Sequence, residues 1–590
     1  MDNLRGDTSR SDTPLLRDCE PLGGYSTIAT GQLNGTRTEQ HGSESPSQDA
    51  QAGVQQVEAI AIVWTRTDLI IAYILIWVVY FVMLMQQNTA AVLSPYITSA
   101  FRDHSLTPTV GILSSIIGGV CNLTVAKILD IFGRPQGYGL SLLIVSIGLV
   151  MMAMTTSVEM YAAAQVFCTV GSSALLYSVN IFVSDTSSLH NRGLMTALTS
   201  SPNIITTWLG GPISQAFLTG PGWRWCFGMF AIMVPTLCSP LLGLLVFNSY
   251  KARRLNLVAP QKHVRTLWQS VRHYVHEFDA FGLLLLTSGL AIILLPFNLY
   301  ALQADGWHSP LIIGLLVFGV ALIVSFIMWE RFCARVTFIP YSLLLDRNMV
   351  GSCILGAVLF ISYFCWNSFF SSSLQVVNNL SVTEASYIVQ IYGLGSSLFA
   401  IIAGLAIRYT GRFKYVTLFG AIPVYALFMG LMIYFREPNG NIGYIIVCQI
   451  FISFAAGIIM ITPEVAALSI ASHQHIAVIL AIVSMFSSIG GAVGYTIAGV
   501  IWQSTFPNKL AIYLPEEELP NLMSIYGSLE VQLSYAVGTP ARLAIQQAYA
   551  DAQAKIHVAG TAIWALGFIA VAIWRNTDVK TIHQVKGNVI

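Results

Sequence analysis

Charge is what this sequence has least of. Asp, Glu, Lys and Arg make up 10% of its 590 residues, against 55% hydrophobic side chains, where a soluble domain carries about 25% charged residues. A chain this poor in charge has more apolar surface than an aqueous core can hide. Its near-neutral balance, +1 at pH 7, argues against nucleic acid as a partner. Cysteine is also scarce. Nine residues, an odd number with no paired spacing, exclude a disulfide framework, and all but Cys19 and Cys333 fall in apolar runs, where a thiol is a small packing group. There is no Gly-x-x-x-x-Gly-Lys-Ser/Thr loop, so ATP is not the direct energy source. No nucleophile, base and acid arrangement marks an enzyme. No His or carboxylate cluster has metal-ligand spacing; His473 and His475 stand in a loop. No metal, cofactor or obligate protein partner is therefore expected.

What the chain has is long uncharged runs. Leu69 to Leu84 is the first and Trp564 to Trp574 the last. Such runs cross about 30 Å of hydrocarbon as helices, in which every backbone group is paired internally. They predict an all-α membrane protein with fourteen spans, from 69–92 through 194–218, 441–466 and 475–503 to 556–575. Residues 1–66, rich in Ser, Thr, Gly and Gln, read as a disordered tail. Of the 29 basic residues, only Arg102, Arg224, Arg436, Lys509, Arg542 and Lys555 fall opposite the termini, which places both termini in the cytosol.

The stretch AKILDIFGRP, from Ala126 to Pro135, has a looser copy in GLAIRYTGRF, from Gly404 to Phe413. The first lies between spans 2 and 3 and the second between spans 10 and 11, an offset of eight spans. Two six-helix halves joined directly would give six, so spans 7 and 8 are an inserted pair. The expected organisation is a six-helix bundle at 67–248, a linker at 249–279, inserted helices at 280–330, and a second six-helix bundle at 331–576 with a long outer loop at 504–555, before a tail at 577–590. Within the linker, Leu267 to Phe278 spaces its apolar residues as a surface helix. In each repeated loop, glycine permits a tight turn. A carboxylate facing a guanidinium, as Asp130 and Arg134 do in the first copy, can latch two helices in one state and release them in another; an ordinary turn with a cytosolic arginine explains Arg134 about as well.

AKILDIFGRP resembles the loop signature of the major facilitator superfamily, Gly-x-x-x-Asp-Arg/Lys-x-Gly-Arg-Arg/Lys. Asp130, Gly133 and Arg134 match, while Ala126, Ile131 and Pro135 depart from it. In the second copy Gly404, Gly411, Arg412 and Lys414 fit loosely, and Arg408 replaces the carboxylate. The resemblance implies the superfamily fold in a 6 + 2 + 6 arrangement of 14 helices, with Arg408 and Arg412 joining the gating candidates. Three further stretches resemble the fungal siderophore-iron transporters: SDTSSLHNRGL from Ser184, TGPGWRWCFGMFAI from Thr219, and the Tyr-bearing segment from Ile525 to Tyr549 that contains Ala541-Arg542-Leu543-Ala544-Ile545. Drug exporters with fourteen spans usually carry Gly-x-x-x-Gly-Pro-x-x-Gly-Gly in the fifth. Here Thr207 to Ala216 keeps only Gly211-Pro212, which tilts the reading toward import.

Span 12 holds the most membrane-embedded acid, Glu464, just after Pro463. Such a group is costly unless paired or functional, so it leads the proton-coupling candidates. Asp185, seven residues before Arg192 across the turn from span 4 to span 5, is the second, with a structural ion pair to Arg192 as the alternative. Amide and aromatic side chains fall at mid-span in both halves: Gln86, Gln87 and Asn88, Tyr177 and Asn180, then Tyr363, Trp366, Asn367 and Phe370, and Tyr392. A ferric hydroxamate complex, its iron already wrapped by the chelator, needs such walls and donors rather than metal ligands. Trp223, Arg224 and Trp225 either wall the outer mouth or anchor the interface. Tyr526, Tyr535, Arg542 and Tyr549 are candidates for a lid, and Asn379-Leu380-Ser381 is a glycosylation sequon.

The resemblance therefore implies proton-coupled uptake of a ferric siderophore by alternating access, in the plasma membrane or an endosomal or vesicular membrane of a fungus. A drug exporter of the same fold and a non-transporting nutrient sensor are the alternatives.

Overall fold

The computed structural model describes residues 64–101, 107–187, 195–196, 198–255, 279–300, 303, 305–333, 344–436, 440–470 and 476–578, and they contain helices and no strand. The tails, Arg192, His473, His475 and the linker helix expected at 267–278 lie outside the described residues, as does the side chain of Asp130. The first bundle comprises α1 (Arg66–Ala100), α2 (Thr107–Ile131), α3 (Arg134–Ala153), α4 (Val158–Thr186), α5 (Asn203–Thr219) and α6 (Trp223–Arg254). Next come α7 (Ala280–Leu294) and α8 (Pro310–Phe332). The second bundle comprises α9 (Arg347–Asn367), α10 (Val382–Thr410), α11 (Ile422–Tyr434), α12 (Ile442–Leu468), α13 (Ile476–Tyr513) and α14 (Pro540–Ala562).

Thirteen of the described helical segments are long and apolar enough to cross a membrane. Between the fourth and fifth of them stands α5, 17 residues long and so about 26 Å at 1.5 Å per residue. It is shorter than the expected 194–218 span because the chain turns at Ser201-Pro202, where proline removes a helical donor. Helix starts carry side-chain caps: Thr65 with Asp68 and Ser381 with Glu384 form reciprocal capping boxes on α1 and α10, each cap stabilising its helix by about 1 kcal/mol.

Packing repeats with the same offset as the sequence echo. In the first bundle α1 packs on α5 and α6, α2 on α4, and α3 on α4 and α6. In the second, α9 packs on α13 and α14, α10 on α12, and α11 on α12 and α14. The two bundles meet along α2 with α13 and along α5 with α10, which are equivalent pairs under that offset. Helices α7 and α8 pack on each other, and α7 docks beside the α2–α13 seam. The pairings are those of two six-helix repeats with an inserted pair.

Both echoed glycines have positive φ, 98° at Gly133 and 71° at Gly411, a region where a Cβ is penalised. The two turns lie on one face. Leu129, just before the first, clusters with Met349 and Leu468, and Asn348 hydrogen-bonds Ser469 Oγ at 3.2 Å and the Arg575 amide at 2.7 Å. Lys414, just after the second turn, donates to the carbonyls of Ala572 at 2.9 Å and Trp574 at 2.5 Å. The opposite face is covered by residues 514–539. This segment is shorter than the 504–555 loop expected, because α13 runs on to Tyr513 and α14 begins at Pro540. It forms three short helices, Glu516–Asn521, Leu522–Gly527 and Leu529–Ser534.

Candidate functional site

Helix α12 continues through Pro463 to Leu468, so Glu464 is helical rather than a loop residue. Tyr444, Val447 and Phe451 make one exposed stripe on this helix, and Met460 and Glu464 make another. At 3.6 residues per turn, Glu464 sits about 140° around the helix from Phe451. It keeps accessible surface within a dense protein surround and lies within electrostatic reach of the Tyr80 phenol on α1, across the two halves. Tyr80 donates a 2.6 Å hydrogen bond to Asn180 Oδ1 on α4. The Tyr80–Asn180 bond joins α1 to α4, and Glu464 on α12 of the other half is within electrostatic reach of its phenol.

The other predicted lining residues divide. Among the described residues, buried Gln86 has no partner at its Oε1, and Asn367 has none at its Oδ1 while its amide donates to Tyr363 Oη at 3.1 Å. The Tyr363 ring lies 4.6 Å from that of Tyr392. Gln87 is half-buried. Asn88 turns to α5, donating to Thr206 at 3.3 Å, and so serves a helix junction. Tyr177 belongs to the core shared by the two halves. Trp366 and Phe370 have no exposed surface; they pack behind Tyr363 and Tyr392, with the Arg436 guanidinium 4.4 Å above the Phe370 ring. In this structure Trp366 backs the Tyr363 and Tyr392 rings and Phe370 backs Trp366.

At the Gly-Arg face, Arg134 pairs with Asp185 at 3.1 Å, joining α3 to α4. The ion pair with Arg192 offered as the alternative for Asp185 lies outside the described residues. Arg412 is exposed and Arg408 is half-buried in the last turn of α10.

At the opposite face, Trp223 is buried in the first-bundle core and Trp225 is 69% exposed. Arg224 lies 4.4 Å over the Trp223 ring and donates to Thr155 O at 3.0 Å. Through Arg224 the Trp-Arg-Trp element ties α6 to the segment after α3. The lid candidates hold the 514–539 segment in place. Tyr535 donates to Glu518 at 2.7 Å, Tyr549 to Gln532 at 2.8 Å, and Tyr526 packs 6.2 Å from Phe506. Bonds from Asn521 and then Tyr535 lower the Glu518 pKa from its ordinary value. Arg542 is 2% exposed, so it is an internal strut rather than a surface residue. The Asn379 sequon adopts φ 56°, and its Oδ1 accepts from Arg542 at 3.2 Å.

Sequence reasoning missed the residues that join the halves at this face. Tyr96 on α1 hydrogen-bonds Gln375, and Gln215 on α5 hydrogen-bonds Thr383 on α10. Ser99 Oγ accepts from the Leu529 amide at 3.2 Å. Their signal was polar side chains near the ends of apolar runs, which many helix ends share. Among the described residues, no three His, Cys, Asp or Glu side chains gather as metal ligands.

Two repeated bundles around a shared polar interior define a transporter of the Major Facilitator Superfamily, whose family model matches residues 76–377. The fold is similar to a bacterial homologue of the human lysosomal transporter Spinster (TM-score 0.52, 13% identity, 87% of this chain and 98% of that one). A mutant of the peptide transporter POT is similar at TM-score 0.51, with 12% identity over 85% and 95%. Within the superfamily, the chain belongs to the siderochrome iron transporter family. It is 50% identical over 544 residues, 92% of each chain, to MFS siderochrome iron transporter 1 of Ajellomyces capsulatus. It is 41% identical to MFS siderochrome iron transporter D of Aspergillus fumigatus and 40% to siderophore iron transporter mirB of Emericella nidulans, over 92% of this chain and 90% of each relative.

Proposed function

We propose that the protein imports ferric hydroxamate siderophores by alternating access, driven by protons moving down their gradient. The chain belongs to a family whose named members carry siderochrome iron, and the cargo class follows from that membership. The observation that carries the coupling is Glu464, a helical acid with accessible surface within electrostatic reach of Tyr80, whose hydroxyl is bonded to Asn180. Asp185 already serves an ion pair with Arg134, so the coupling is assigned to Glu464 and the rim to Arg134 and Asp185. The unpartnered amide oxygens of Gln86 and Asn367, with Tyr363 and Tyr392, provide polar and aromatic wall for a bulky complex that keeps its own iron ligands. In this reading the Gly-Arg face is cytosolic with both termini, and the 514–539 face is outside or lumenal, in the plasma membrane or an endosomal membrane.

The test is uptake of radiolabelled ferrichrome-type, fusarinine-type and coprogen-type complexes into yeast cells that lack other siderophore carriers. Expression of this chain is expected to restore uptake of at least one. No uptake of any of the three, with lowered drug accumulation, would mark an exporter instead.

A further inference from the structure

Two separate segments of the second bundle reach across to α1 at the lid face. One is the Phe370–Val377 helix that follows α9, where Gln375 accepts from the Tyr96 hydroxyl. The other is the Leu529–Ser534 helix, whose first amide donates to Ser99 Oγ at 3.2 Å. Neither contact is an ion pair, and both use hydroxyls that water can serve once the contact parts, so they suit a closure that must open in every cycle.

A single side chain holds both segments. Arg542, in the first turn of α14, donates to the carbonyl of Gln532 in the Leu529–Ser534 helix. Its other terminal nitrogen donates to Gln375 O at 3.4 Å and Asn379 Oδ1 at 3.2 Å. The guanidinium is buried, and no carboxylate pairs with it among the described residues. A buried cation is costly without acceptors, and here the acceptors it finds come from the two segments that touch α1. A rigid fork with several donors can bridge two backbones at once, which a lysine ammonium on a flexible stem does poorly.

We propose that Arg542 is the positioning residue of an outer gate, keeping the Gln375 and Leu529 contacts in register so that they close on α1 and release from it together. The inference rests on the alternating-access reading above. Loss of the guanidinium leaves each segment attached to the second bundle but uncouples them, so the closed state loses population to the outward-open one. Outside cargo then meets a larger fraction of binding-competent protein, and its half-saturation concentration falls. Closure, and with it turnover, slows by about tenfold, the equivalent of one charge-assisted hydrogen bond.

The test needs no substrate. Ser99→Cys and Leu529→Cys are introduced together into the full-length chain in membranes, and formation of the 99–529 disulfide under mild oxidant is timed. Adding Arg542→Gln is expected to slow cross-linking several-fold, and Arg542→Lys is expected not to rescue it; an unchanged rate in Arg542→Gln would overturn the proposal. Tyr96→Phe, on the other half, leaves the lid intact and is expected to slow the same cross-link. It decides the matter if Arg542→Gln does not reach the membrane, with an unchanged rate again overturning the gate. In uptake assays of the variants without added cysteines, Arg542→Gln should lower both half-saturation and turnover. Lower turnover alone, in proportion to protein at the surface, would mark a merely structural arginine. Normal cross-linking behaviour without siderophore uptake would leave the gate standing and remove the cargo assignment, and the reverse pattern would do the opposite.

Discussion

The two halves share a turn but not its chemistry. Gly133 and Gly411 occupy equivalent places in the repeat and both have positive φ, but Gly133 has ψ 161°, where almost only glycine is found, while Gly411 has ψ −1° as a left-handed helix cap; and Arg134 is engaged with Asp185 while Arg412 is exposed. In the second half, tethering falls to Lys414, which binds carbonyls at the end of the last helix. The interior differs in the same way. The first half contributes a neutral pair, Tyr80 and Asn180, and the second contributes the acid, Glu464. The repeated backbone fixes where helices turn and pair, and each half then furnishes its own rim and its own share of the interior.

The largest expected effect comes from erasing the difference in the interior. Each pH unit of gradient is worth about 1.4 kcal/mol, a factor of ten in accumulation, to a carrier that couples one proton. Glu464→Gln is expected to remove that gain and leave siderophore binding intact. Asn180→Ala should weaken uptake but keep its pH dependence. Measuring uptake against external pH in both variants separates them, and a Glu464→Gln protein with undiminished pH dependence would end the coupling assignment.

At the rim, the Arg134 and Asp185 side chains are 11% and 21% exposed, between the surface and buried regimes. Removing either should destabilise the first bundle by about 1–3 kcal/mol. Arg412→Ala, its counterpart in the other half, should stay within about 0.5 kcal/mol. Thermal unfolding in detergent reads both, and a double mutant of Arg134 and Asp185 should cost less than the two single changes added. The last effect tests the likeness of the two turns. Gly411→Ala should cost about 1–2 kcal/mol, the penalty for a Cβ in the left-handed region, and Gly133→Ala about 1–3 kcal/mol, because its ψ of 161° lies where almost only glycine is found.

Much of this was legible in the chain. Apolar run length located thirteen described helices long enough to cross a membrane, the echoed Gly-Arg stretch pointed to a repeat that the helix pairings share, and Pro463-Glu464 marked an acid inside a helix. What periodicity does not carry is which helix a side chain faces. Tyr80 and Asn180 are 100 residues apart, and Asp185 pairs with an arginine 51 residues upstream. Helix ends were misplaced where polar residues continue a helix beyond the apolar run, as in α13 to Tyr513 and α14 from Pro540. Arg542 shows the same limit: it falls in the expected outer loop, but the two segments it bridges are joined only by the fold.

The most direct measurement is accumulation of a labelled ferric siderophore by purified protein in sealed vesicles, with protein molecules facing out selected for assay and an acid-outside gradient imposed. The protein is expected to raise internal siderophore above the external concentration and to lose that excess when a protonophore dissipates the gradient. Equilibration without excess, or accumulation indifferent to the protonophore, would contradict proton-driven import.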